Sequence, residues 1–444
     1  MQEQLLFGRR LTDGRYRPTG RPPRVFFRDA GSGEVFALDD TALSQNILFL
    51  GGSGSGKTNA IHQILPQLRA PSLPDGKDRV TFLFDTKADY FRHPGFFQPG
   101  DYVLGSSPAF REQSAVWNLF ADVRADGDDP RDWAANANEI AAGCFHGRGS
   151  QTQPFFANAA RDLFAHTILY FLRRGQDRPQ AWQGNLNNQK LVEFLRITPP
   201  AKLAEYFSLY PDFQWLQAYF GDGTSNQALG VFSELYSMLQ DCFQGVFAQA
   251  PARPEDGFSI RQAIRAKGGR AIFLEYDLAL GATLTPIYRL LADLALKEAL
   301  SGGARGHAHF FLDEFKLLPK LSHLEDALNF GRSKGVTVVA GLQSVEQIYA
   351  AYGREAGQVI LGGFGSVVAF RTGDYASREY VSKLFGPNIT SYRYLNASNS
   401  PVDREREGST VEHWQQRSLR PGQAVVGLST QEEPFLFQFE LDRF

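Results

Sequence analysis

A run of eight residues near the amino terminus has the composition and spacing of a phosphate-binding loop. It fits the pattern G-x-x-x-x-G-K-[ST] and consists of Gly51, Gly52, Ser53, Gly54, Ser55, Gly56, Lys57 and Thr58. Glycines allow consecutive backbone N–H groups to turn toward a β-phosphate, and the start of the following helix adds its dipole. Lys57 would then contact the β- and γ-phosphates, and the Thr58 hydroxyl would bind Mg²⁺. The sequence therefore predicts an ATP and Mg²⁺ site here.

Two adjacent carboxylates end an apolar run farther along the chain. Phe310, Phe311 and Leu312 precede Asp313 and Glu314, the arrangement of a Walker B motif. We expect Asp313 to hold Mg²⁺ and Glu314 to orient and deprotonate an attacking water. A water-activating glutamate favours hydrolysis over phosphoryl transfer to a second substrate.

Several further polar residues follow predicted strands or helices. Gln343 comes just after the apolar run Val336–Gly341, where an amide would sense the γ-phosphate or order the lytic water; the alternative is a turn or capping residue. Arg332 and Arg371 are each either an arginine that acts on a neighbouring subunit's nucleotide or a surface ion-pair residue. Asp85 is either a supporting carboxylate or a strand-end cap, and Lys87 lies nearby.

The elements that must position these residues alternate between strand and helix. Buried apolar runs are predicted as strands at 47–50, 80–84, 271–274, 309–312, 336–341 and 366–370, with helical periodicity between them. This pattern predicts an α/β fold with a mainly parallel central sheet. Strand-like runs at 424–428 and 435–439 follow a stretch, 396–408, that is predicted to be a polar linker.

Composition predicts three regions. Residues 1–28 carry seven arginines against two acidic residues and read as a basic arm without packed elements. Residues 29–188 and 266–444 are assigned to the nucleotide-binding domain, and 189–265 to an all-α insertion. In that insertion Phe213, Trp215 and Phe220 either pack in the core or stack on the bases of a nucleic acid. Their helical spacing favours the core.

The overall composition excludes several classes of protein. The 444 residues carry 46 Lys and Arg against 48 Asp and Glu, a net charge of −2, so this is not a polybasic protein. The two cysteines, Cys144 and Cys242, argue against a disulfide scaffold. No uncharged apolar run reaches the ~18 residues of a membrane span, and no signal peptide is evident. We therefore expect a cytoplasmic protein.

Six segments, taken in order, resemble the type IV coupling proteins, the ATPases that feed DNA into conjugative type IV secretion channels and belong to the FtsK–HerA group. The resemblance extends from about Gly33 to Val426. The segments are ILFLGGSGSGKT, FLFDTKADY, WNLF, FFLDEFKLLPKL, GRSKGVTVVAGLQSVEQIYAAYG and FRTGDYASREYVSKLFG.

The resemblance implies a RecA-like P-loop fold, a homohexamer and DNA passing through a central channel. It also implies that Gln343 is the glutamine sensor and that Arg332 is the trans-acting arginine. Many members begin with two transmembrane helices, which are not evident here. Either a separate membrane partner at the inner membrane, such as a secretion-channel protein, would then anchor the motor, or the protein would work on DNA away from a membrane, in mobile-element processing or defence.

The sequence thus predicts an ATP-hydrolysing DNA translocase of conjugation or related mobile-element processing. The alternative is a nucleotide-gated adaptor that assembles on ATP and recruits a relaxase or effector with little motor activity. Export of protein by the same motor is not separated from DNA transport. A small P-loop kinase is disfavoured because more than 250 residues lie between the two motifs.

Overall fold

The computed structural model describes residues 2–13, 16–70, 73, 75–93, 95–149, 154–220, 225–279, 281–301, 306–395, 397 and 399–441. Arg15 of the predicted arm, Thr224 at the start of a predicted helix, and Asn396 at the start of the predicted linker lie outside these residues. None of the helices in the described part is long and apolar enough to cross a membrane.

The chain folds into two compact units. The first consists of Met1–Gly100, Lys267–Ala271 and Ala299–Phe444, and the second of Asp101–Ala266 and Ile272–Glu298.

Fifteen strands are formed by the described residues. They are β1 (Gln2–Phe7), β2 (Thr12–Asp13), β3 (Pro23–Arg28), β4 (Val35–Asp39), β5 (Ile47–Leu50), β6 (Arg79–Asp85), β7 (Tyr102–Leu104), β8 (Arg270–Glu275), β9 (His307–Leu312), β10 (Val336–Leu342), β11 (Ser366–Phe370), β12 (Pro387–Leu395), β13 (Pro401–Ser409), β14 (Gln423–Gly427) and β15 (Phe435–Gln438).

The α-helices of the described residues vary from one turn to six. They are α1 (Asp40–Leu43), α2 (Lys57–His62), α3 (Leu65–Leu68), α4 (Asp89–Arg92), α5 (Leu119–Val123), α6 (Pro130–Cys144), α7 (Phe155–Asp177), α8 (Pro179–Trp182), α9 (Asn188–Ile197), α10 (Pro200–Phe207), α11 (Asn226–Cys242), α12 (Ile260–Ala266), α13 (Gly281–Leu300), α14 (Leu324–Phe330), α15 (Glu346–Tyr352), α16 (Arg354–Gly362), α17 (Tyr375–Phe385) and α18 (His413–Ser418).

The first unit is built on a mainly parallel sheet. Its strands follow the order β2-β15-β14-β11-β5-β10-β9-β6, and the run from β11 to β6 is parallel. Every residue of β5, β10 and β11 is buried, as expected for strands covered on both faces. The carboxyl ends of β5, β9 and β10 therefore lie along one edge, each directly before a predicted site residue. The predicted α/β class with a mainly parallel sheet is confirmed.

The prediction of an arm without packed elements at residues 1–28 is wrong. β3 pairs antiparallel with β4, and its alternating residues Val25 and Phe27 are buried. The Phe27 ring stacks on Phe36 with ring centroids 4.7 Å apart. The arginines obscured a short strand pattern, because alternation places them on the outer face of a hairpin whose inner face is apolar.

The prediction of a polar linker at 396–408 is also wrong. β13 pairs along its whole length with β12, and β1 pairs antiparallel with the other edge of β12. The result is a separate three-stranded sheet in the order β1-β12-β13. Charged residues dominate β13 because most of its side chains are exposed, so no apolar periodicity marks it in the sequence.

The second unit is mostly helical. Its strands β7 and β8 are parallel, and Arg270 and Ala271 of β8 are assigned to the first unit. The named elements of residues 189–265 are all helices where they are described, apart from a single parallel bridge between Phe258 and Trp117, but the unit also includes helices outside that range. Phe213 and Phe220 are buried in its core, whereas Trp215 is half exposed. A separate insertion domain at 189–265 stays a prediction.

Candidate nucleotide-binding site

The phosphate loop joins β5 to α2, and its glycines are required by close packing. A Cβ on Gly51 would lie 2.6 Å from the Phe370 Cβ and 2.7 Å from the Ser55 Oγ. Gly56 has a φ of 114°, and a Cβ there would come within 2.9 Å of the Gly422 Cα. A φ this far into the positive region is adopted readily by glycine, which has no Cβ, and rarely by residues with side chains. The backbone of this loop therefore turns as tightly as a phosphate-binding loop requires.

Lys57 begins α2 and folds back over the loop. Its Nζ donates hydrogen bonds to the carbonyl oxygens of Gly51 (2.7 Å) and Gly52 (3.2 Å). Burial lowers the pKa of Lys57, while Asp313 and Glu314 act in the opposite direction. The ammonium thus lies at the bottom of the loop, beside the two carboxylates predicted for the site.

Thr58 and Asp313 are in direct contact. The Thr58 Oγ1 donates to the Asp313 Oδ2 at 2.8 Å. Asp313 is buried, and this desolvation, with Glu314 and Asp85 nearby, raises its pKa to about 6 despite the Thr58 hydrogen bond and Lys57. A hydroxyl and a carboxylate oxygen side by side are the ligands that Mg²⁺ prefers when it also binds phosphates.

Glu314 and Gln343 form a second pair at the same edge. The Gln343 Nε2 lies 3.1 and 3.2 Å from the two carboxylate oxygens of Glu314 and donates to them. The Gln347 side chain accepts a hydrogen bond from the Gln343 backbone N–H (3.2 Å) and so helps to hold the turn after β10. The predicted base and sensor are therefore brought together, with the amide orienting the carboxylate.

Lys57, Thr58, Glu314 and Gln343 line a cavity of about 600 Å³ in the first unit, and Asp313 is hydrogen-bonded to one of them, Thr58. The cavity wall includes side chains that the sequence does not assign to the site. It also includes Lys87, which the sequence places only near Asp85 at a strand end. The lining residues are Ser53, Gly54, Ser55, Gly56, Lys57, Thr58, Asn59, His62, Lys87, Asp89, Arg92, His93, Glu314 and Gln343. Arg92 and His93 belong to no sequence motif used here, so only the path of the chain after β6 brings them to the cavity.

Asp85 acts as a strand-end cap. Its carboxylate accepts hydrogen bonds from the backbone N–H groups of Lys87 (3.0 Å) and Tyr90 (2.9 Å). Burial raises its pKa, and these backbone donors oppose that shift. The sequence leaves two roles open for Asp85, a supporting carboxylate and a strand-end cap, and its hydrogen bonds are those of the cap. These bonds fix the turn that presents Lys87 to the cavity.

The two arginines considered as trans-acting groups lie at different ends of the sheet. Arg332 is exposed in the turn Gly331–Lys334, which precedes β10, at the opposite end of that strand from Gln343. Arg371 is exposed just after β11, and its carbonyl oxygen accepts a hydrogen bond from the Gly52 N–H at 2.9 Å. The site of the same chain thus includes the Arg371 backbone and does not include Arg332.

Fold and site together define a P-loop nucleotide-binding protein of the RecA-like class. The chain also matches, over residues 33–426, the family described as the type IV secretion-system coupling protein DNA-binding domain. It belongs to that family.

Two curated relatives of the chain are named as conjugal transfer proteins. The conjugal transfer protein TraG of Agrobacterium fabrum is 26% identical over 203 residues, which are 43% of this chain and 30% of TraG. TraG of Rhizobium radiobacter is 26% identical over 199 residues, again 30% of that protein. The chain therefore covers less than a third of either relative.

Solved structures show the same fold. The unbound bacterial conjugative coupling protein TrwBdeltaN70 superposes with a TM-score of 0.74 at 21% identity, covering 99% of this chain and 94% of that one. TrwB in complex with the ATP analogue ADPNP has a TM-score of 0.72 at 20% identity, with coverages of 99% and 95%. VirB4 of Thermoanaerobacter pseudethanolicus has a TM-score of 0.56 at 12% identity and 98% coverage of both chains.

Proposed function

We propose that this protein is an Mg²⁺-dependent ATPase that moves or delivers DNA in conjugative transfer. The observation that carries the proposal is the pairing of Thr58 with Asp313 and of Gln343 with Glu314, because Thr58, Glu314 and Gln343 line the phosphate-loop cavity and Asp313 is hydrogen-bonded to Thr58. The family match to a DNA-binding domain supports the cargo, and the TrwB complexes with ADPNP and with ADP and Mg²⁺ support the ligands.

The chain's own residues supply each requirement of hydrolysis. The loop N–H groups and Lys57 bind the β- and γ-phosphates. Thr58 and Asp313 fit a magnesium ion, since both present oxygen atoms at one point, and Mg²⁺ there would neutralise charge on the phosphates. Glu314, oriented by Gln343, takes the proton from the attacking water.

The assembly and setting belong to the same proposal. A homohexamer would place Arg332 of one subunit at the nucleotide of its neighbour, and DNA would pass through the ring. Partners would be a relaxase or a secretion-channel protein, with the motor in the cytoplasm and held at the inner membrane by that partner. The TraG relatives support the conjugative setting.

The test is steady-state ATP hydrolysis at fixed Mg²⁺ and low salt, with and without single- and double-stranded DNA. Low salt is needed because phosphate contacts weaken steeply as ions are added. We expect DNA to stimulate turnover increasingly with protein concentration, and Glu314→Gln to bind ATP normally but lose turnover by about 10²–10⁴-fold. Tight ATP binding with slow turnover that no DNA alters would instead establish the nucleotide-gated adaptor.

A further inference from the structure

The strand pair β12-β13 carries charges of opposite sign on its two faces, and β1 adds Glu3 at the register position opposite Tyr392. Thr390 pairs with Arg406, Tyr392 with Arg404 and Tyr394 with Val402, and alternation along each strand places these side chains on one face. The intervening residues of β13 are Asp403, Glu405 and Glu407, which therefore lie on the other face. Solubility requires charged residues on an exposed strand, but it does not require the positive and negative ones to lie on separate faces.

The basic side of this sheet continues into a cavity of about 300 Å³. The lining of the cavity includes Thr390, Tyr392, Arg406, Arg10 and Trp414, together with the acidic Glu412. Trp414 is 62% exposed and Tyr394 is 38% exposed, both large fractions for aromatic side chains. We call this surface the Arg404 face and define it by Arg10, Tyr392, Tyr394, Arg404, Arg406 and Trp414.

Two of the three arginines of the Arg404 face are available for a partner. Among the described residues, Arg404 and Arg10 have no ion-pair partner, and Arg406 donates to Glu412 at 3.0 Å. On the opposite face Arg393 is neutralised by Asp403 through two hydrogen bonds of 2.8 and 2.9 Å. Glu405 and Glu407 then leave that face acidic, so an anionic partner would be attracted to one side of the sheet and repelled from the other.

We propose that the Arg404 face binds single-stranded DNA, with the arginines on phosphates and the aromatic rings stacked on bases. Exposed aromatic rings interleaved with arginines are the combination that single-strand binding uses, because every base has a face to stack on. A paired duplex keeps its bases stacked on one another and offers an aromatic side chain no such contact. The proposal rests on the proposed DNA-transport function and locates where that DNA is held outside the nucleotide cavity.

The test measures the binding of a fluorescent 20-nucleotide oligo(dT) to the full chain by anisotropy over a salt series. Arg404→Ala/Arg406→Ala is expected to weaken binding at least tenfold at low salt and to reduce the salt slope by about 0.7 for each arginine that contacts a phosphate. Trp414→Ala should weaken binding about tenfold, and Trp414→Phe should retain most of the affinity, since stacking needs only a ring.

Arg393→Ala is the control for position, because it removes one arginine from the opposite face of the same strand pair, whereas the double variant removes two. It should leave oligo(dT) binding unchanged. Equal losses in Arg393→Ala and in the double variant, or no loss in the double variant, would overturn the assignment. Fluorescent ADP binding by the phosphate loop verifies that each variant is folded.

Two comparisons separate this proposal from related ones. If the double variant loses binding to duplex DNA or to phosphatidylserine vesicles but keeps oligo(dT) binding, the Arg404 face binds that other partner and not single-stranded DNA. A wild-type chain that binds fluorescent ADP but no DNA would remove the DNA part of the proposed function as well. Wild-type binding that the double variant retains would overturn only the Arg404 face.

Discussion

The Thr58 hydroxyl donates to the Asp313 carboxylate at 2.8 Å, although 255 residues separate them in the sequence. The contact joins the start of α2 to the end of β9, so the phosphate loop and the acidic strand are already in the arrangement needed to share one metal ion. Burial disfavours the charge of the Asp313 carboxylate and raises its pKa. A divalent cation would stabilise that charge, so exchanging the Thr58 hydrogen bond for a bound cation would cost little free energy.

The magnesium requirement of hydrolysis should therefore depend on both partners. Thr58→Ala and Asp313→Asn are expected to raise the Mg²⁺ concentration that gives half-maximal ATPase activity by at least tenfold, because the first removes the hydroxyl ligand and the second removes the negative charge and one carboxylate oxygen. Thr58→Ser keeps the hydroxyl and is the matched control. A Mg²⁺ titration of activity makes the measurement, and an unchanged midpoint in Asp313→Asn would remove this residue from the metal site.

Gln343 should act as a positioning residue through its contact with Glu314. Gln343→Ala is expected to lower kcat about 10–100-fold and leave KM unchanged, because it frees the carboxylate without touching the phosphate loop. Gln343→Glu keeps the length but removes the donor and should be no better than alanine. Parallel losses in kcat and affinity would mean that Gln343 contacts the nucleotide in its ground state.

How much of the site the sequence predicts depends on whether a group acts within a local motif. The phosphate loop and Asp313-Glu314 follow directly after apolar strands, and parallel pairing brings those strand ends to one edge. Lys87 was only noted as near a strand end, and His93 has no sequence signal, because a turn fixed by Asp85 brings this segment to the cavity.

The limits of the fold prediction have the same physical origin. β5 and β10 are buried on both faces and are plain in the sequence as unbroken apolar runs. β13 is exposed over most of its length, so its pairing with β12 is set by backbone register and cross-strand contacts. Nothing in a window of polar residues distinguishes such a strand from a linker.

A buried ion network should hold the second unit together. Arg261 donates to Glu298 at 3.0 Å and to Asp126 at 2.6 Å, and its backbone N–H is bound by Asp122 at 2.9 Å. Arg261→Ala removes one ion-pair partner of the buried Glu298, which keeps its pair with the partly exposed Arg265, and is expected to lower the free energy of unfolding by about 3 kcal/mol.

Arg253→Ala is the control for that change, since it breaks an exposed pair with Asp256 and should cost less than ~1 kcal/mol. Thermal unfolding monitored by circular dichroism compares the two variants. Equal shifts in the melting temperature would show that the Arg261 network contributes no more than a surface ion pair.

His309 should make stability fall in mild acid. Burial, with Arg79 and His307 adding repulsion, lowers its pKa to about 3 from the usual 6.5. The unfolded chain therefore binds a proton between pH 6.5 and 3 that the folded chain does not, so stability is complete above pH 6.5 and decreases as the pH falls through this window. The slope approaches ~1.4 kcal/mol per pH unit for one proton.

His309→Gln, which carries no titratable group, should flatten this dependence. Chemical unfolding at a series of pH values from 7 to 4 measures the slope for both proteins. An identical slope in the variant would assign the acid sensitivity to other groups, such as the neighbouring His307.

Arg332 is expected to act only on a neighbouring subunit. It precedes β10, whereas Gln343 follows it, and seven residues at about 3.3 Å each separate the two ends by about 23 Å. An arginine side chain cannot cover that distance within its own chain.

Arg332→Ala should therefore abolish hydrolysis with ATP binding intact. Adding Glu314→Gln protein, itself inactive, should restore activity, since a mixed interface combines one intact site with one intact arginine. Arg371→Ala is the matched control: the Arg371 backbone contacts Gly52 of its own chain and this contact is kept by alanine, so the variant removes an exposed arginine side chain beside the site of its own chain, and any loss there should persist on mixing. Activity of mixed proteins is measured at several ratios, and a maximum near equal amounts for Arg332→Ala but not for Arg371→Ala is the expected result. Full activity of Arg332→Ala alone, or a mixture that stays inactive, would exclude Arg332 as the trans-acting group.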